Sequence, residues 1–382
     1  MKQVSAKSIV AGLACVATGF VLAWFILVHV PECFDGSSPA DFPNYYFAGL
    51  RLLKDRPIYS DLHDEVQSSL GWDYNLYPAD TPFAILTLSP LSLLAYKTAW
   101  WVLAIFSLLA VGFVMFFTAK ETQISSSATA IALSAALCCT PFLILLKRNH
   151  FEMILVICSM LGWTLLRRRK PYVSALFFGL AGALKLFPAL WLIVTLTVSG
   201  KRPFVFGCIT FVFFSMVGAL FLGADNVQHY IFRIIPRSAQ WYGAVANYSV
   251  LSLASALGSP RFGWTFSIAV MLLAFYELWI GTREPTSVWI RVTVLSLLLS
   301  PLSWLNYFVL IVPIATVVLA ETTPGSRRRL YTCGLLTTLL FWPSYIPTQS
   351  ATLTILLAHA PTFGLGILYM TSRKPFRSLI PC

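Results

Sequence analysis

The sequence predicts an all-α polytopic membrane protein of about twelve transmembrane helices (11–13), with a large external first loop carrying short interfacial helices. Three observations carry this reading. Of the 382 residues, 58% are hydrophobic and only 11% charged, whereas a soluble domain carries about 25% charged residues. The apolar runs are roughly 17–25 residues long, enough to cross ~30 Å of hydrocarbon as helices. They are continuous rather than alternating, which fits helices and not a closed barrel.

The elements follow from where Lys and Arg fall, because cationic residues mark cytoplasmic span ends. The first run, about 9–30, follows Lys2 and Lys7 and ends "FILVHVPEC" without a small-residue cleavage site, so it is expected to be an uncleaved signal anchor. Residues 31–96 then form external loop 1. Runs at 99–117, 128–146, 151–166, 172–187, 188–198 and 204–223 alternate direction, with Lys120, "RRRKP" and "GKRP" inside. Residues 224–260 form external loop 2. Runs at 262–280, 288–300, 304–320, about 330–345 and about 350–371 complete a single integral membrane domain, 1–382, with both termini cytoplasmic. No internal repeat, low-complexity tract or soluble domain is visible.

The net charge of +12 is explained by cytoplasmic span ends and requires no nucleic acid. The eight cysteines are scattered, form no CxxC, and read as small buried hydrophobes. No HExxH or DxD pair suggests a metal. Nine of the 15 acidic residues (Glu32, Asp35, Asp41, Asp55, Asp61, Asp64, Glu65, Asp73 and Asp80) lie between the first and second long runs. Within that loop, Phe42, Tyr45, Tyr46, Gly49, Leu50, Leu52 and Leu53 form a helical stripe ended by "KDRP". Asp41 would be its N-cap or stand just before it. A second short helix is expected after Asp61, with Asp64 and Glu65 as solvated surface.

Threaded this way, six polar patches converge on the external face: Asp41, "YNLYPADTPF" (74–83), "KRNHFE" (147–152), Lys185, "VANYSVLS" (245–252) and "SPLSWLNY" (300–307). Isolated cations on that face, Lys147, Arg148 and Lys185, oppose the charge rule, and ionisable residues at such depth are costly and usually functional. Plainer readings exist for each. Asp41 could only cap its helix, Lys185 could snorkel, Arg148 could anchor a span end, and the aromatics could form an interfacial belt.

At these residues the chain resembles glycosyltransferase family 87, the polyprenol-phosphate-mannose-dependent mannosyltransferases of the GT-C superfamily. "DFPNYYFAGLRLLKDRPIY" resembles the family's first-loop motif. "YNLYPADTPFAILTLSPLSLL" is similar to its Tyr-Pro-Pro segment, with Ala79 where a second Pro is common. "KRNHFEMILV", "GLAGALKLFPAL", "NYSVLSL" and "SPLSWLNY" follow in family order, covering roughly residues 35–320. Two departures matter. Asn306 stands where the late motif often has His, and the "KRNH" element lacks the common Gly-Gln. Asn306 cannot titrate, and His150 could stand in for the missing His.

The resemblance implies an inverting membrane glycosyltransferase. It would move a hexose, mannose by resemblance, from a polyprenyl-phosphate donor to a lipid or glycan acceptor on the non-cytoplasmic face. Such transfer needs a base for the acceptor hydroxyl and cations or donors for the leaving phosphate. Asp41 is expected as the base. Arg148 and Lys185 are expected to bind the donor phosphate, with Asn149, His150 and Asn306 as further donors. Tyr45, Tyr46, Tyr74, Tyr77, Asn247 and Trp304 are expected to line the substrate groove. Arg233 and Arg237 read first as lipid-headgroup contacts. No cofactor or metal is expected; the partners are membrane lipids, the polyprenyl-phosphate-linked sugar and the acceptor, and the location a bacterial plasma membrane. The alternative is a lipid or solute transporter without transferase chemistry, which would place charges at midplane, where only Glu277 qualifies. A docking protein is the third reading.

Overall fold

A computed structural model describes residues 6–35, 41–73, 75–242, 244, 247–257, 259–281, 283–321, 334–337, 339–341 and 359–372. Among these the chain is helical throughout, and its only β pairing is an isolated antiparallel bridge between Asn247 and Trp304. Four helices are long and apolar enough to cross a membrane: Ser8–Asp35, Tyr96–Thr122, Lys201–Leu222 and Arg261–Ile280. A fifth arises if Ser126–Cys138 and Thr140–Arg148, bent by 52°, are one span. Most of the other expected spans fall on shorter apolar helices, Pro171–Leu184, Phe187–Ser199, Pro285–Leu299 and Leu305–Glu321. The expected spans near 330–345 and 350–371 lie largely outside the described residues.

Proline explains most of the irregularities. The expected straight run 128–146 breaks at Cys139, which is extended (φ −73°, ψ 144°) ahead of Thr140-Pro141. Pro141 has no N–H, and its ring would clash with the carbonyl four residues back, that of Leu137, so the upstream helix cannot run through it. The first span widens into a π turn at Phe25–His29, just ahead of Pro31, and a second π turn at Tyr230–Ile234 precedes Pro236. Such a bulge gives the pyrrolidine ring room that a regular turn denies it.

Loop 1 carries the two helices expected of it. Phe42–Leu53 ends at Lys54, and His63–Leu70 ends at Gly71 in the left-handed conformation (φ 73°), a common helix stop. A third, unexpected helix, Pro82–Leu88, is capped by Thr81, whose hydroxyl accepts from Ala84 N. Glu65 is not solvated surface as expected: its two carboxylate oxygens each lie 2.7 Å from Arg51, on Nε and Nη2.

The core is apolar and tightly packed around the helices. Trp163 and Trp289 stack with centroids 4.8 Å apart, and all of Pro285–Leu299 from Thr286 to Leu298 is buried. Helix Pro171–Leu184 approaches Lys201–Leu222 so closely that a Cβ on Gly179 would lie 2.6 Å from the Gly207 carbonyl oxygen. Small residues at crossings are how helices associate in lipid. Conversely, Phe20, Leu27, Leu109, Phe116, Leu220 and Phe221 are exposed on the long helices, as side chains facing hydrocarbon would be.

Candidate functional site

The site begins where loop 1 meets the turn between helices Thr140–Arg148 and Glu152–Arg167. Asp41 stands at the N-cap position of Phe42–Leu53, but its side chain makes no cap hydrogen bond. Its Oδ2 instead lies 2.6 Å from His150 Nε2 and 3.2 Å from Arg148 Nη1. Its backbone N–H donates to the Arg148 carbonyl, 3.1 Å away, locking the two segments together. A role for Asp41 as a helix cap alone is therefore corrected. Both contacts fall on Oδ2, which leaves Oδ1 without a hydrogen-bond partner among the described residues. The Asp41 side chain is 28% exposed and that of Arg148 40%.

The turn is made by Asn149, held at φ 53°, a conformation that asparagine tolerates better than most residues. It brings His150 against three acceptors. Nε2 faces Asp41, while Nδ1 lies 2.6 Å from the Tyr45 hydroxyl and 3.2 Å from Glu152 Oε1. Burial alone would lower the imidazole pKa. The Glu152 and Asp41 carboxylates on either side outweigh it and raise the value to about 9. Burial would likewise raise the Asp41 carboxyl, but His150 and Arg148 hold it well below the ordinary carboxylate range. At neutral pH the pair is an imidazolium and a carboxylate.

Glu152 carries the row further. Its side chain is fully buried, and Oε1 also lies 2.7 Å from Lys185 Nζ. Lys185 occupies the break between Pro171–Leu184 and Phe187–Ser199, in extended conformation (φ −150°, ψ 134°); Pro188, in the first turn of the second helix, has no N–H to donate to the Leu184 carbonyl four residues back. Its ammonium sits 4.3 Å from the Tyr307 ring centroid, 5.2 Å from that of Phe151 and 4.0 Å from Asp80 Oδ1. The charges thus alternate along one row: Arg148, Asp41, His150, Glu152, Lys185, Asp80. Neighbouring Lys147 is taken up separately by Glu32, 2.7 Å away, which His29 also contacts at 3.1 Å.

The other expected site residues divide. Tyr45 is buried in the row. Asn306 is buried next to Tyr307, and its Nδ2 has no partner among the described residues. Asn149 is buried and donates to the Trp100 carbonyl, away from Asp41 (2.9 Å). Asn247 is a structural staple: Nδ2 donates to the Trp241 and Pro301 carbonyls, and Oδ1 accepts from Ser249 N and Ser303 N. Trp304 packs edge-on to Trp241, 6.2 Å apart. The Tyr46 hydroxyl donates to Leu94 O. Tyr77 lies under Arg237, whose guanidinium carbon is 3.6 Å from its ring centroid. Tyr74 lies outside the described residues. Glu277 accepts from the Tyr369 hydroxyl at 3.2 Å.

Glu152, Asp80 and Tyr307 were not singled out from the sequence as site residues. Glu152 had a signal: a carboxylate opening an otherwise apolar run. Asp80 and Tyr307 had only their place inside the quoted motifs. Among the described residues no group of three His, Cys, Asp or Glu is placed to hold a metal ion.

A membrane-type helical scaffold thus gathers three carboxylates and three cations in one cluster. The chain belongs to glycosyltransferase family 87, whose profile matches residues 76–343, and it is a glycosyltransferase. That stretch holds His150, Glu152, Lys185 and Asn306; Asp41 lies ahead of it. Two curated relatives are both polyprenol-phosphate-mannose-dependent alpha-(1-2)-phosphatidylinositol mannoside mannosyltransferases. The one from Mycolicibacterium smegmatis is 27% identical over 326 residues, 78% of this chain and 72% of the relative. The one from Mycobacterium tuberculosis is 25% identical over 340 residues, 83% of this chain and 76% of the relative. No solved structure matches the chain at comparable significance.

Proposed function

We propose that this chain is an inverting transferase that moves mannose from a polyprenyl-phosphate donor to a lipid or glycan acceptor, on the non-cytoplasmic face of a plasma membrane. The relatives' names support the donor and point to a phosphatidylinositol mannoside as one acceptor class to try. The observation that carries the proposal is Asp41, held between His150 at 2.6 Å and Arg148 at 3.2 Å with Oδ1 left unpaired.

The chemistry follows from that arrangement. The acceptor oxygen attacks the anomeric carbon from the face opposite the phosphate. Its proton passes to Asp41 Oδ1, and the bond from the anomeric carbon to the phosphate oxygen breaks with its electron pair going to the phosphate. The phosphate changes from a singly charged diester to a doubly charged monoester as Asp41 becomes neutral. Arg148 and His150 then lose their carboxylate counter-charge at the moment the leaving phosphate gains one. Cations whose partner changes in the transition state stabilise it differentially. The same exchange answers an objection: a carboxylate held below its ordinary range is a weak base at rest, and gains basicity when a bound phosphate draws Arg148 away.

The test is sugar transfer in membranes carrying the wild type or Asp41→Asn at equal protein level, with polyprenyl-phosphate mannose as donor and lipid and glycan extracts as acceptors. A product present in the wild type and absent in the variant is expected. Equal product in both would remove Asp41 from the mechanism, and no product in either would remove this donor.

A further inference from the structure

Asp80 ends the charged row and is its least satisfied member. Its side chain is only 13% exposed, and the nearest cation, Lys185 Nζ, is 4.0 Å away and sits closer to Glu152. No hydrogen bond reaches its carboxylate among the described residues. The backbone, by contrast, is held on both sides. The Asp80 carbonyl accepts from the Tyr59 hydroxyl at 2.9 Å, and the next residue, Thr81, donates its hydroxyl to the Ala183 and Leu184 carbonyls at 2.7 and 2.9 Å. The carboxylate is therefore positioned by the fold and not by partners of its own.

An enclosed carboxylate without donors is costly, and the cost is recovered when donors arrive. Burial raises the Asp80 carboxyl above its ordinary range, against the pull of Lys185 and His150. The other groups that face it are Glu152 and Asp41, with Tyr45, Tyr59, Tyr230 and Tyr307. A phosphate brings only acceptors and negative charge, so it is the wrong complement. A sugar brings several hydroxyl donors on a neutral ring.

Building on the proposed transferase reading, we infer that Asp80 accepts hydrogen bonds from hydroxyl groups of the transferred sugar, so that it selects the sugar while Arg148 and Lys185 hold its phosphate. The carboxylate lies in the row that begins at Asp41, so a sugar held at Asp80 stays within the set of side chains that contains the base.

The experiment measures binding of polyprenyl-phosphate mannose and of sugar-free polyprenyl phosphate to the full-length protein in nanodiscs, without acceptor. The wild type should prefer the mannose lipid, and Asp80→Asn should reduce that preference roughly tenfold or more, the worth of one hydrogen bond to a charged group, while binding of the sugar-free lipid is kept or tightened. An unchanged preference in the variant overturns the inference alone. Failure of the wild type to bind either lipid overturns the transferase reading together with it. Should Asp80→Asn not fold, the wild type is compared across donors bearing singly deoxygenated mannoses. One deoxy position should weaken binding roughly tenfold; no position costing more than about twofold would overturn the inference, because a charged acceptor is worth more than that.

Discussion

Two carboxylate–cation clusters involve loop 1 and differ in their satisfaction: the Arg51–Glu65 clamp lies wholly within it, whereas Asp41 pairs with Arg148 and His150, more than a hundred positions along the chain. Arg51 is saturated: Nε and Nη2 hold Glu65, Nη2 also donates to the Asp61 carbonyl, and Nη1 reaches the Pro57 and Ser60 carbonyls and the Ser60 hydroxyl. The row from Arg148 to Asp80 is not. Asp41 Oδ1, Glu152 Oε2 and Asn306 Nδ2 have no hydrogen-bond partner among the described residues, and the Asp80 carboxylate has only Lys185, 4.0 Å away. A closed network rigidifies a loop, whereas an open one in the same low-dielectric setting keeps polar capacity that only a ligand can use. The difference separates the scaffold of loop 1 from its chemistry.

The largest expected effect tests that separation directly. Asp41→Asn should lower transfer by about 10²–10⁴-fold, the usual worth of a positioned base, a loss that persists per folded molecule whatever the unfolding midpoint does. Glu65→Gln should do the reverse, moving the midpoint and leaving turnover per folded molecule within a few-fold. Arg51→Ala should destabilise by roughly 2–3 kcal/mol, because it strands Glu65 and three loop carbonyls. Thermal unfolding in detergent reads this, and an unshifted midpoint would show that the clamp is ornamental.

Asn247→Ala removes four hydrogen bonds, two within loop 2 and two that tie it to Pro301 and Ser303, and should cost about 1–3 kcal/mol, again without changing KM in the folded fraction. A KM effect would return Asn247 to the substrate groove. Glu152→Gln should lower turnover roughly tenfold, the worth of one hydrogen bond to a charged group, and shift the alkaline limb of activity to lower pH, because the Glu152 carboxylate helps hold the His150 pKa up. A purely structural Glu152 would lower activity with no shift in that limb.

The smallest effect is on stability against pH. The His150 pKa is raised to about 9 in the folded chain, above its unfolded value of about 6.5. Its contribution is therefore complete below the unfolded value and is lost as pH rises through the folded one. Unfolding midpoints should fall between about pH 7 and 9 in the wild type and fall less in His150→Asn; parallel curves would mean that the ion pair with Asp41 does not form.

Much of this was legible in the chain. The apolar run lengths marked many of the helices, the stripe from Phe42 to Leu53 marked the helix found there, and Asp41, Arg148, His150 and Lys185 stood out because charges are rare in so apolar a sequence. Asn149 and Asn247 were legible as unusual residues but not as structural ones. Their partners are backbone carbonyls and, for Asn247, backbone N–H groups as well, and nothing in a sequence says which backbone group a side chain will meet.

The sequence by itself determined an all-helical, membrane-type protein with a carboxylate-rich first loop, because hydrophobicity and period are local properties. Only the tertiary structure decided that residues 41, 80, 148, 150, 152 and 185 form one row. Asp41 and His150 are 109 positions apart, and the Asn149 turn, the Lys185 break and the Thr81 cap join them through backbone geometry. The tertiary structure also decided which charges are spent. Glu65 and Asp41 are both acids beside arginines in the folded chain, and only the count of donors around each shows that one is full and the other still has an oxygen to offer.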